Sequence, residues 1–193
     1  SAAAHPHMWV DPESRILLHD VGNPFAIHQE WLFDDFFSTA LIQEASLHPD
    51  GVEIGLQQEI AEIMTNLQPY DYFNLIKHGS DTLSVALMGD VTAAITENRV
   101  RMGFTVAIKD PVDLVSQDLS YAIFDPTYYI EMFHAEGHTI AFEGEAPASC
   151  GTWIEQPNPS ADAIALSQSA TLDDKPDETI GRLFAETIHV KCR

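Results

Sequence analysis

The sequence predicts an α+β fold, an antiparallel β-sandwich-like domain with two helices inserted after the second strand. Three observations carry that expectation. Val100, Met102, Phe104, Val106 and Ile108 alternate with a period of two, as a half-buried strand requires. Leu56, Ile60, Ile63, Met64 and Leu67 instead follow the spacing of one helical face. Strand-like runs resume after Pro69 and continue to the end of the chain. A length of 193 residues fits one domain, and residues 1–193 are read as such.

The elements follow in order. His5 to Asp11 reads as a strand that Ile16 to His19 continues beyond Pro12. Phe25, Ile27, Gln29, Trp31 and Phe33 form the inward side of a second strand. Asp34 or Asp35 then caps a helix running to about Leu47. His48-Pro49-Asp50-Gly51 is a turn before the second helix, which Pro69 ends. Two alternating runs around Glu97-Asn98-Arg99 predict a hairpin. Strands are expected over 121–124, 128–134, 138–143, 150–155 and 184–192, with a short helix over 161–169.

Charge narrows the functional classes. There are 30 Asp+Glu against 9 Lys+Arg, a formal net charge of −21. Nucleic-acid and anionic-membrane surfaces need clustered cations, so this balance opposes both and favours cationic partners, metal ions included. No apolar stretch reaches the ~18–20 residues of a membrane span, so no membrane insertion is expected. Ala2-Ala3-Ala4 resembles the small-residue cleavage site of a removed export signal, so residues 1–4 read as a remnant and the protein as exported. In such a protein Cys150 and Cys192 read as one disulfide; the alternative is two buried thiols.

The histidines carry the candidate chemistry. In His5-Pro6-His7-Met8-Trp9-Val10-Asp11, strand geometry projects His5 and His7 from one face, with Trp9 and Asp11 beyond them. Paired imidazoles suit zinc, copper or nickel, zinc first among them. The plainer alternative is two solvated histidines on a loose terminus. If processing leaves His5 first, its α-amine and ring form a chelate suited to Cu(II).

His134-Ala135-Glu136-Gly137-His138 is the second cluster. A tight turn there places both histidines across a hairpin mouth, close enough to share an ion; the alternative is polar decoration of a turn. Asp125, before Pro126, is a ligand, an acceptor that fixes a histidine's tautomer, or the start of an Asx turn. No EF-hand is present: with Gly51 at loop position six, the terminal carboxylate position falls on Gln57. No nucleophile elbow, zinc-protease helix or phosphate loop occurs, so no catalytic residue is assigned.

Together HPHMWVD (5–11), WLFDDFF (31–37), YDYFN (70–74), DPTYY (125–129) and the β run ending at Cys192 resemble the bacterial domain of unknown function 1007 family. The resemblance runs over nearly the whole chain. It implies an exported protein beginning near His5, linked to transition-metal transport and to a membrane transporter as partner. It places the HPH motif on His5 and His7 and the DPTYY motif on Asp125–Tyr129, but leaves His134 and His138 resting on spacing alone. Three readings follow from the residues and the resemblance: a metal-binding protein, a metal-free adaptor of a transport complex, and a copper enzyme using the His5 amine-and-imidazole chelate. If the α-amine of His5 is a ligand, copper affinity should rise when residues 1–4 are removed. Equal affinities measured with and without them reject that chelate.

Overall fold

Why the chain makes two sheets is visible in its first strand. The computed structural model describes residues 6–19, 22–169 and 178–192. Strand β1 (Met8–Leu18) runs unbroken through Pro12, alternating buried and exposed along its length. It pairs antiparallel with β2 (Pro24–Phe33) on one side. Its other side is shared by two short strands, β8 (Ile130–Met132) on Met8–Val10 and β9 (Ala141–Glu143) on Arg15–Leu17. Pro12 lies in the stretch that neither covers, where a missing N–H is tolerated.

These two pairings are parallel, against the antiparallel expectation; every other strand pair among the described residues is antiparallel. The first sheet is completed by β5 (Val85–Thr96) and β6 (Arg99–Ile108), in the order β5-β6-β2-β1-β8 with β9 also on β1. Glu97 and Asn98 join β5 to β6 with φ of 51° and 64°, the left-handed pair that matches hairpin twist. The second sheet has the order β10-β11-β7-β3-β4. Its strands are β3 (Asn74–His78), β4 (Asp81–Leu83), β7 (Leu119–Ile123), β10 (Cys150–Glu155) and β11 (Thr187–Cys192).

Helices α1 (Asp35–Ala45) and α2 (Val52–Leu67) follow β2, as expected. Asp34 caps α1, its Oδ1 accepting from the Phe37 N–H at 2.8 Å. Ser38, fully buried on α1, accepts from the Val100 N–H at 3.0 Å and fixes the helix on β6. The third helix, α3, spans Ala161–Ser169. One apolar core joins the inner faces of both sheets to α1 and α2, with Trp31, Phe104, Ile60 and Ile188 among its buried side chains. A polar bridge crosses it: Trp31 Nε1 donates to Gln29 Oε1 at 3.0 Å, and Gln29 Nε2 to Asn74 Oδ1 at 2.5 Å. No described helix is long and apolar enough to cross a membrane.

Cys150 and Cys192 are directly opposed in the β10–β11 register and form a disulfide. Closing a separation of 42 residues stabilises the fold by about 4 kcal/mol in the chain-entropy model. The expected strands over 128–134, 138–143 and 184–192 are shorter in the structure. The residues between β8 and β9 leave the sheet to form a turn, and Gly181–Phe184 is a 3₁₀ turn.

Gly55 marks the crossing of the two helices, where an added Cβ meets the Ala45 carbonyl. Gly55→Ala should therefore lower stability by about 1–3 kcal/mol despite alanine's better helix propensity. A denaturant midpoint at or above wild type contradicts that crossing.

Candidate functional site

Four of the five short motifs meet at one end of β1. The Trp9 N–H donates to Asp34 Oδ2 at 2.9 Å, and the Asp34 N–H to the Trp9 carbonyl at 3.0 Å. The Phe124 N–H, just before Asp125, donates to the Phe73 carbonyl at 3.0 Å. The His7 N–H donates to the Tyr129 carbonyl at 2.9 Å, and the two rings lie 5.0 Å apart. His7 is thus docked and half-buried. His5 lies outside the described residues, as do residues 1–4.

The backbone at this corner is held in costly conformations. Asp71, Tyr72, Phe73 and Tyr128 all have φ between 52° and 61°. Each such non-glycine residue costs about 1–2 kcal/mol. Asn74 helps to hold the run, its Nδ2 donating to the Tyr72 carbonyl at 2.6 Å. Gly181 closes it from the other side, donating to the Pro126 carbonyl at 2.8 Å; an added Cβ there meets the Asp125 carbonyl.

Asp125 is buried, and its carboxylate is engaged within the loop. Oδ1 accepts from the Thr127 N–H and hydroxyl at 2.9 Å each, and Oδ2 from the Ile130 N–H at 3.0 Å. It forms the Asx turn that starts β8.

The second cluster lies elsewhere. Seven residues of extended β1 separate His7 from Ser14, about 23 Å, and Ser14 is where His134 is found. His134 and His138 are brought together by a tight turn, in which the His138 N–H donates to the Ala135 carbonyl at 2.9 Å. Their rings stack at 5.2 Å and 22°. The flanking strands do not form the expected hairpin, because β8 and β9 both pair with β1 and the turn arches over the gap between them.

Beneath this turn runs a buried chain of hydrogen bonds. Glu186 Oε2 accepts from the His134 N–H at 2.9 Å and lies 2.8 Å from His134 Nδ1. Gln156 Nε2 donates to Glu186 Oε1 at 2.7 Å. His134 Nε2 lies 3.1 Å from Ser14 Oγ, which lies 2.8 Å from the Tyr121 hydroxyl. One proton order satisfies every group: Tyr121 donates to Ser14, Ser14 to Nε2, and Nδ1–H to Glu186. Burial pushes the Glu186 carboxyl up. The hydrogen bonds from the His134 ring and backbone and from Gln156 outweigh it and hold Glu186 below its ordinary value. Burial raises the Tyr121 phenol and keeps it protonated.

Ser14, His134 and Glu186 have the order of a nucleophile relay. Ser14, however, is only 5% exposed and faces Tyr121 across the core, so its hydroxyl serves as a brace between sheets. Composition gave no direct pointer to this chain. The usable signal is parity: Glu186 shares the inward face of Ile188 and Val190, and Ser14 that of Val10 and Ile16.

His134, His138, Thr152, Trp153, Gln156 and Glu186 line a cleft of about 440 Å³. His138 also borders a smaller pocket of about 160 Å³ with Ser14, His28 and Glu30. Burial, then the Arg15 charge, lowers the His28 pKa. His138 Nε2 is buried and has no hydrogen-bond partner among the described residues. Leaving such a nitrogen unpaired costs about 1–3 kcal/mol. No group of three or more His, Cys, Asp or Glu side chains among the described residues is arranged to hold a metal ion.

These features define a disulfide-closed, two-sheet α+β domain with histidines at two separated positions along its first strand. A sequence profile described as "Protein of unknown function (DUF1007)" matches residues 1–192, and the chain belongs to that family. The chain is also similar to an "Uncharacterized protein" of Haemophilus influenzae, 22% identical over 194 residues, spanning 98% of this chain and 91% of the relative.

Because Glu186 titrates below its ordinary 4.5, its stabilisation is complete above that pH and disappears as pH falls through the folded value. Glu186→Gln should cost about 1–3 kcal/mol at pH 7. The difference from wild type should shrink as pH falls below 4.5, as thermal melts across pH will show. A gap that is constant with pH contradicts the ionised carboxylate.

Proposed function

We propose that the protein is a periplasmic transition-metal-binding protein that holds zinc, copper or nickel through His5 and His7 and passes the ion to a membrane transporter. The observation that carries this reading is the docking of His7. Its backbone bond to Tyr129 and the contact between the two rings hold His7 where the chain's motifs converge. A loose terminus would have to lose conformational freedom on binding; a docked one has already lost much of it.

Three features are consistent with that role. Imidazole nitrogens select borderline ions over calcium or magnesium. The charge of −21 raises the local concentration of cations around the protein. The Cys150–Cys192 disulfide fits an oxidising compartment. The role of His5 rests on its two-residue spacing from His7.

Calorimetric titration of the full chain with zinc, copper and nickel tests the proposal. We expect micromolar or tighter binding of at least one of them, weakened by about tenfold or more in His5→Ala/His7→Ala. Identical isotherms for wild type and the double variant would reject it. Absence of binding in wild type would favour the metal-free adaptor.

A further inference from the structure

We propose that the cleft beside His134 and His138 is a second cation site, independent of the amino-terminal one, in which the Nε2 atoms of the two imidazoles take an exchangeable zinc, nickel or copper ion. Four observations converge on it. The rings are stacked 5.2 Å apart on a tight turn. The His138 Nε2 atom is buried without a hydrogen-bond partner among the described residues. Both rings line the same cleft. Finally, His134 Nδ1 is held by Glu186, which Gln156 holds in turn.

The last arrangement is the one that prepares a histidine for a metal. A carboxylate on one ring nitrogen fixes the tautomer, orients the ring and makes the opposite nitrogen a stronger donor. Ser14 now occupies that nitrogen, but it retains Tyr121 as a partner when a cation displaces it. The hydroxyl oxygen thereby keeps the bond it accepts from Tyr121 and gives up the one it donates.

Donor chemistry sets the class of ion. Imidazole suits zinc, nickel and copper, whereas calcium and magnesium demand oxygen. The surrounding charge agrees: the turn between the two histidines carries Glu136, and Glu186 lies beneath. Two protein nitrogens leave further coordination positions to solvent, in contrast to the four ligands of a closed structural zinc site. Such a site binds and releases, and the half-buried position of His138 at the border of two pockets gives an ion a route in.

The test removes the amino-terminal histidines first. In His5→Ala/His7→Ala protein, Cu(II) titration should still reach one equivalent, with hyperfine coupling from two nitrogens in the paramagnetic resonance spectrum. Adding His138→Ala should abolish that equivalent. Adding Glu186→Gln should weaken it about 10- to 100-fold. His189→Ala, which removes the histidine stacked on Trp153 at 4.7 Å, should leave it unchanged. In the wild-type protein, zinc should protect His138 from carbethoxylation, read by mass spectrometry, which removes any dependence on how the variants fold. No copper bound by the double variant, binding unaltered by His138→Ala, or no protection of His138 would each overturn the proposal. Loss of all binding in the double variant leaves the amino-terminal reading standing; equal binding by wild type and double variant with loss in His138→Ala does the reverse.

Discussion

A line of four polar side chains ties the two sheets together through apolar surroundings. Tyr121 belongs to the second sheet, Ser14 to the first, His134 to the turn that covers the gap beside β1, and Glu186 to the approach to β11. A buried carboxylate is tolerated only when its oxygens are occupied. Glu186 meets that demand with the His134 backbone, the His134 ring and Gln156. The same demand fixes how far the two sheets lie apart and where the turn sits. Packing of Trp31, Phe104 and Ile188 gives cohesion, but apolar contacts alone permit sliding; directional bonds do not.

The opposite end of β1 is organised by different means. There the chain accepts several left-handed backbone conformations in order to bring the YDYFN and DPTYY segments against one another. Such strain persists only where the surroundings over-determine it. Asn74, Asp125 and Gly181 supply that constraint. One strand therefore joins a strained corner at its beginning to a polar brace further along.

The sequence made the regular elements readable because their signals are local. The period of two over Val100–Ile108 became β6, the stripe from Leu56 to Leu67 became α2, and Asp34 capped α1. The Cys150–Cys192 disulfide followed from an even pair of cysteines in an exported protein, and the structure bears it out. The parallel pairing of β8 and β9 with β1 was not readable, since the partner of a three-residue strand is decided by tertiary packing. The Asx turn at Asp125 was among its readings, and the structure shows its carboxylate accepting from Thr127 and Ile130. The closeness of His134 and His138 was anticipated from their spacing. Glu186 was not, because its partner is 52 residues away and thirty acidic residues conceal one that faces inward.

The disulfide has a further meaning when considered as mechanics. It fastens the last strand at its final described residue, six positions after Glu186. Any pull on that end is carried by the β10 partner instead of being passed, bond by bond, towards the carboxylate. In thiol form the same terminus would be free to peel away from β10, and each residue lost would bring the brace closer to water. The covalent staple thus acts as a strain relief, isolating a buried charge from disturbance at the far end of β11.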